Sequence, residues 1–274
     1  MSRIFALSFL MLALAAPAMA QSSLLKRLNT GDETRGWEGV GRLDVAGAGF
    51  CTGALIAPDL VLTAAHCLYD RATGARVDHE TIEFLAGWRD GRASAYRDVR
   101  RAVVHPDYEF DGSASTERVR NDLALLELSQ PIRNTQVIPF ETAERPAKGD
   151  EIGVVSYALD RSEAPSLQEV CHVMARQTGV LIMSCDVNFG SSGAPIFRID
   201  RDGTPRIVSV VSAKAEVKGT PVSLGTALAS PLARLRAELA AGRHRFKPPV
   251  SSGETQLIGS GRDNIGAKFL KPGE

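Results

Sequence analysis

The chain has no surplus of either charge: 32 Lys and Arg balance 32 Asp and Glu over 274 residues. It therefore carries no global field that would draw it to nucleic acid or to an anionic membrane surface. Beyond its first residues it has no stretch approaching the ~20 continuous apolar residues that a membrane-spanning helix needs. It also lacks an internal repeat and a glycine loop suited to cradling phosphate. His79, His105, His172 and His244 stand at no metal-ligand spacing, so neither a metal nor a cofactor is expected. Helical periodicity is scarce as well, which argues against a bundle or an α/β fold.

What is present begins with a leader. Arg3 supplies a positive start, Ile4 to Leu14 a short apolar core, and Ala18-Met19-Ala20 a small-x-small cleavage pattern. That combination reads as a secretory signal peptide over residues 1–20, removed near Ala20 to leave a secreted or periplasmic protein. The mature length suits one or two domains with a substantial core. Cys51, Cys67, Cys171 and Cys185 make an even count, and in an exported chain that implies two disulfides. Four cysteines permit three pairings. The nearest-neighbour pairing closes loops of 16 and 14 residues, each worth ~3 kcal/mol in a chain-entropy account.

Short apolar or alternating runs recur between turn signals at Gly49–Ile56, Leu60–Ala64, Thr81–Trp88, Asp98–His105 and Leu123–Leu128. After a connection over residues 131–150 they resume at Glu151–Tyr157, Leu167–Val173, Gly179–Cys185, Pro205–Ala213 and Leu224–Ala229. Many short strands with few helices between them predict an all-β sandwich or barrel protein, here in two units of similar size. One helix stands out late. Ser230 reads as its N-cap, Pro231 as its first residue and Gly242 as its stop, with Leu232, Leu235 and Leu239 on one face. The basic, Gly/Pro/Ser-rich remainder, residues 242–274, reads as a disordered tail.

Three short blocks carry candidate chemistry. His66 follows a buried run and adjoins Cys67, which can lock the turn; alone, such a histidine is more often structural. Asp122 opens a strongly apolar strand, where a carboxylate is costly unless several donors hold it. A buried carboxylate that accepts from an imidazole would fix its tautomer and stabilise the imidazolium. Asn188-Phe-Gly-Ser-Ser-Gly-Ala-Pro195 offers two serines in a turn. Gly190 opens space for an oxyanion, and its amide together with that of Ser192 would form the hole. The G-x-S-x-G elbow fits neither serine: Ala194 stands two residues after Ser192, and Phe189 two before Ser191.

The candidates run in the order His66, Asp122, Ser192. With Cys51-Thr-Gly-Ala-Leu-Ile56, Val61-Leu-Thr-Ala-Ala-His-Cys67, His105-Pro-Asp-Tyr108, Asn121-Asp-Leu-Ala-Leu-Leu126 and Gly190-Ser-Ser-Gly-Ala-Pro195, the chain resembles the trypsin/chymotrypsin-like serine proteases over about residues 36–241. Secreted bacterial members are the nearest in pattern. The resemblance implies two six-stranded antiparallel Greek-key β-barrels with the active site between them, plus a C-terminal helix. It places barrel 1 at about 36–130, barrel 2 at about 147–229 and the helix at 230–241. Residues 21–35 would be an N-terminal segment or short propeptide. His66 would be the general base, Asp122 its orienting carboxylate, Ser192 the nucleophile, and the amides of Gly190 and Ser192 the oxyanion hole. Ser212 matches the segment that pairs with substrate backbone. The family pairs Cys51 with Cys67, whereas Cys171 with Cys185 rests on counting alone.

The chain also departs from the family. Animal members carry an aspartate before the nucleophile that pairs with a newly cut N-terminus; here Ser191 stands there, and Arg35-Gly-Trp-Glu-Gly-Val40 offers no matching start. Activation by that ion pair is therefore not expected. Asp186 lies six residues before Ser192, the offset at which trypsin selects Arg or Lys, yet Cys185 is out of the trypsin register. Lys214 would either neutralise Asp186 or favour an acidic residue. The expectation is a monomeric exported serine endopeptidase acting on proteins or peptides, without nucleic-acid partners. The rivals are a catalytically silent binding module, or an esterase or self-processing protein using the same triad.

Overall fold

The computed structural model describes residues 25–45, 49–110, 115–242 and 267–269. The expected signal peptide lies outside these described residues. The chain enters through strand β1 (Lys26–Arg27) and a single helical turn, α1 (Gly31–Thr34). Six strands follow: β2 (Val40–Val45), β3 (Gly49–Ala57), β4 (Leu60–Thr63), β5 (Ile82–Ala86), β6 (Ala95–Val104) and β7 (Ala124–Leu128). They close into an antiparallel barrel in the order β2-β3-β4-β7-β6-β5. The short helix α2 (Thr116–Asn121) leads into β7.

A two-residue strand, β8 (Glu141–Thr142), marks the passage to the second barrel. Its strands are β9 (Glu151–Ala158), β10 (Arg161–Gln177), β11 (Val180–Met183), β12 (Pro195–Ile199), β13 (Pro205–Val217) and β14 (Thr220–Ala227). The order β9-β10-β11-β14-β13-β12 closes because β12 returns to β9 and β9 pairs with β10. Helix α3 (Ala229–Ala240) follows, and strand β15 (Ala267–Phe269) pairs antiparallel with β13. The fold is thus the expected pair of six-stranded barrels with a late helix.

The largest buried cluster does not stop at the barrel boundary. It joins Leu43, Leu62 and Leu125 of the first barrel to Tyr157, Phe197 and Val210 of the second. Trp37 and Phe140 reinforce this seam, packing on Phe197 with ring centroids 5.0 and 4.8 Å away. Burial of this apolar surface is what holds the barrels in one arrangement. Disulfides join Cys51 to Cys67 and Cys171 to Cys185, with Cα atoms 6.2 and 5.0 Å apart.

Four features differ from, or add to, the sequence reading. Strand β2 was not anticipated because Arg42 and Asp44 interrupt its apolar pattern. The two charges pair with each other at 2.6 Å, so they cost the strand little. The proposed N-cap is displaced: the cap position belongs to Leu228, and Ser230 lies inside the first turn. Leu228 is 2% exposed, so packing has already set a helical backbone there, and Pro231 falls where no intrahelical donor is required. Gly242 does stop the helix, with φ +68° and its amide on Leu239 O. In the tail, residues 267–269 form β15, which composition gave no sign of.

The N-terminal segment is also built into the fold. Lys26 and Arg27 pair with Leu167 and Ser166 of β10, and Leu28 donates its amide to Pro165 O. Arg27 reaches Asp90, near the end of β5, at 2.9 Å, so the segment touches both barrels. Leu28 itself is 1% exposed. Leu28→Ala should therefore cost about 2–5 kcal/mol of unfolding free energy in urea denaturation, the range for a buried leucine truncation. A loss below about 1 kcal/mol would mean that the segment is not part of the cooperative core.

Candidate active site

His66 sits in a 3-10 turn, Ala65–Leu68, that leaves the end of β4. The Cys51–Cys67 bridge ties this turn back to β3. The turn presents two donors to one carboxylate. The His66 amide donates to Asp122 Oδ1 at 2.8 Å, and ring Nδ1 meets Asp122 Oδ2 at 2.7 Å. An ionised carboxylate only accepts, so the proton is assigned to Nδ1 and the lone pair to Nε2.

Asp122 stands between α2 and β7 and is 1% exposed. Its third donor comes from the other barrel: the hydroxyl of Ser212, on β13, donates to Oδ2 in a short hydrogen bond. Behind it, Thr226 of β14 donates to Val119 O at 2.6 Å and to Asp122 O at 3.3 Å. Burial alone pushes the Asp122 carboxyl upward. The electrostatic attraction of the His66 ring, the hydrogen bonds from that ring and its amide and the Ser212 hydroxyl outweigh that and hold it below its ordinary value. Asp122 is therefore an anion locked in a dry place.

The turn Asn188–Pro195 lies between β11 and β12 and hangs on the first barrel by Thr52. The Thr52 amide donates to Ser192 O at 2.8 Å, and its hydroxyl donates to Gly190 O at 2.9 Å. Such proximity needs missing side chains. A Cβ on Gly193, where φ is +78°, would lie 2.3 Å from Thr52 O and 2.2 Å from Thr63 Oγ1. One on Gly190, where φ is +97°, would lie 2.5 Å from the Phe50 ring. Both glycines are thus steric requirements as well as conformational ones.

The carbonyls of this turn dictate where its amides face. Phe189 O accepts from Leu159 N at 2.8 Å, and Ser191 O accepts from Ala194 N at 3.0 Å. In each planar trans peptide the N–H points away from its carbonyl. The amides of Gly190 and Ser192 are thereby turned outward and find no acceptor among the described residues. Gly193 is different, since its amide is used by Val211 O at 2.8 Å.

The two serines of the turn separate clearly. Ser191 is fully buried, and its hydroxyl is satisfied by Ser156 Oγ and Tyr157 O, both at 3.2 Å. Ser192 is half-buried and its hydroxyl has no hydrogen-bond partner among the described residues. The fold thus brings His66, Asp122 and Ser212 into direct hydrogen bonding, while Ser192 is tied to the first barrel through Thr52 and has no hydrogen bond to His66 among the described residues.

The remaining sequence candidates are placed less tightly. Asp186 is exposed, with its amide held by Gln168 Oε1 at 2.7 Å. Lys214 is half-buried and forms no ion pair among the described residues, with Asp186 or any other acid. Cys51, His66 and Cys67 offer atoms within 4.8 Å of one another, but both sulfurs are bridged and neither is a thiolate for a metal. Two roles were not read from the sequence: Ser212 as a donor to Asp122, and Thr52 as the strap on the nucleophile turn. The available signal for Thr52 is a polar residue inside an otherwise apolar strand, where an unpaired hydroxyl would be costly.

A protein-family model described as Trypsin matches residues 30–230. Among curated proteins, the modular serine protease of Drosophila melanogaster is 38% identical over 94 residues, 32% of this chain and 14% of that protein. The glutamyl endopeptidase of Bacillus licheniformis is 27% identical over 150 residues, 54% of this chain and 45% of that protein. The trypsin of Phaedon cochleariae is 35% identical over 104 residues, 38% of this chain and 36% of that protein. The match therefore spans less than half the length of each of these relatives. The solved structure of a Glu endopeptidase in complex with MPD has a TM-score of 0.66 at 20% identity, covering 81% of this chain and 98% of that one. At that identity the likeness is one of fold. The family match over most of the barrels, together with the fold it accompanies, identifies this chain as a member of the trypsin family.

Proposed function

We propose that this protein is an exported serine endopeptidase working through His66, Asp122 and Ser192. The observation that carries the reading is the His66 ring, bound through Nδ1 to a buried anion with its Nε2 lone pair free. In the reaction, Nε2 takes the Ser192 proton as Oγ attacks the substrate carbonyl. The amides of Gly190 and Ser192 receive the oxyanion. His66 then returns the proton to the leaving amine, and an acyl group remains on Ser192. Water, deprotonated by the same Nε2, releases the acid and regenerates the serine. Asp122 stays ionised throughout and stabilises the imidazolium. Export is supported by the leader and by two disulfides.

Activation need not use a buried ion pair in this reading, because Ser191 is already satisfied by neutral partners on β9. The preference at the residue before the cut bond is proposed to be acidic. Lys214 follows Ser212 by two residues on β13, just past the irregularity between Val211 and Ala213, and forms no ion pair with an acid among the described residues. Asp186 is exposed, so solvent screening leaves it little selectivity for a basic side chain.

Three outcomes test this. Ser192→Ala should abolish fluorophosphonate labelling and lower kcat on casein by on the order of 10⁶; equal labelling of both proteins would remove Ser192 from the role. Lys214→Ala should lower kcat/KM for peptides with Glu before the cut by about tenfold, or ~1.4 kcal/mol, and leave Ala peptides unaffected. Unchanged Glu cleavage, or Arg cleavage lost in Asp186→Ser, would overturn the acidic preference. The third concerns pH. Because the folded carboxyl of Asp122 is depressed, its stabilisation is complete above the ordinary value of 3.8 and is lost as pH falls through the folded value. Wild type should thus lead Asp122→Asn by on the order of 2 kcal/mol at neutral pH, with the lead narrowing in acid. A lead independent of pH in urea denaturation would show that Asp122 is not held as an anion.

A further inference from the structure

Strand β13 is not paired equally along its two sides. Strand β14 accompanies it from Ser209 to Val217. On the opposite side, β12 runs only from Ile199 beside Pro205 to Pro195 beside Val210. Two backbone bonds then tie Val211 to Gly193 and Ala194 of the nucleophile turn. From Ser212 onward that edge would be bare, and a bare edge is a template for another extended chain. It begins at the residue whose hydroxyl holds Asp122.

The edge is occupied by the chain's own C-terminal stretch. In β15, Ala267 stands opposite Val217, Lys268 opposite Glu216 and Phe269 opposite Ala215, antiparallel. Since β14 fills the other side at these same residues, β15 takes the side that β12 has vacated. Direction matters as much as register. From Ala267 to Phe269 the chain advances from Val217 toward Ala215, hence toward Ser212 and the nucleophile turn. At ~3.3 Å per residue, Phe269 pairs about 10 Å along β13 from Ser212.

We propose that the C-terminal stretch around Ala267–Phe269, paired with β13 at Ala215–Val217, competes with the backbone of an extended substrate for that edge. A peptide substrate that extends along this edge must displace that stretch, so the tail restrains cleavage of long substrates. This rests on the protease reading above. Because the occupant is covalently attached, even a short strand acts at a high effective concentration. If it fills the edge nine-tenths of the time, apparent affinity for a competing strand falls about tenfold.

The test uses full-length chains. One variant, Lys268→Pro with Phe269→Pro, removes the tail's ladder donors at those residues; a milder one, Lys268→Glu, sets a like charge opposite Glu216. Hydrogen exchange followed by mass spectrometry reads protection along residues 213–217, independently of activity. The kcat/KM for a peptide with six residues before the cut bond reads competition, and fluorophosphonate labelling reads the triad alone. The expected result is faster exchange at 213–217 in both variants. For the double variant, kcat/KM on the long peptide should rise about tenfold, through KM, with labelling unchanged. A synthetic peptide of residues 262–274 should inhibit the double variant competitively. Unchanged exchange in both variants, or unchanged kcat/KM with exchange raised, overturns the proposal. Absence of labelling in all three proteins would instead sink the protease reading, with exchange still deciding where the tail lies.

Discussion

The structure depends most on a single buried anion. Asp122 is almost wholly removed from water, and an unpaired carboxylate there would cost several kcal/mol. Its donors come from two directions: the amide and ring of His66 on the first barrel, and the hydroxyl of Ser212 on the second. The charge is satisfied only while both barrels are in place, so their docking and the orientation of the imidazole are one requirement. A lost donor cannot be replaced by solvent that does not reach the site. Thr226, which fastens the backbone at Asp122 from β14, adds a further tie across the seam.

The nucleophile turn obeys a steric counterpart of that rule. Gly190 and Gly193 let it come within bonding distance of Thr52, whose amide and hydroxyl each hold one of its carbonyls. The amides without an acceptor, those of Gly190 and Ser192, belong to the alternate peptides, whose carbonyls are held by Leu159 N and Ala194 N. Apolar burial across the seam, through Tyr157, Phe197 and Leu62, supplies the free energy that keeps the approach so close. Packing and chemistry therefore share residues: the contacts that join the barrels also shape the turn.

Much of this was legible in the sequence because the informative residues lie in short contiguous blocks. His66, Asp122 and Ser192 each stand at the border of an apolar run, and their order along the chain narrows the family. The recurrence of strands announced two barrels. What escaped notice was decided by distant partners. Ser212 meets Asp122 across 90 positions, and nothing near Ser212 signals a hydroxyl aimed at a carboxylate. Strand β2 was hidden because its charges pair with each other, a compensation invisible to a scan for alternation. The cap of α3 moved because the burial of Leu228 outweighs the local preference of Ser230. Strand β15 escaped because backbone pairing needs no apolar side chains, whereas composition registers little else.

Ser191 connects these points to control. A buried aspartate in its place would demand a positive partner before the turn could settle. Ser191 makes no such demand, since β9 already satisfies its hydroxyl with neutral groups. In the proposed reading the turn therefore needs no charge supplied from elsewhere to satisfy this position. What remains open to control is access. Both chain ends bear on it in the same physical way, as strands added to the second barrel: β1 on β10, and β15 on the edge of β13 that begins beside Asp122. The first is anchored by a buried leucine and by an ion pair to the other barrel. The second is held, as far as its described backbone goes, by three residues of ladder. In the proposed reading the second lies where an extended substrate would arrive, so its departure from β13 is the step that would open that edge.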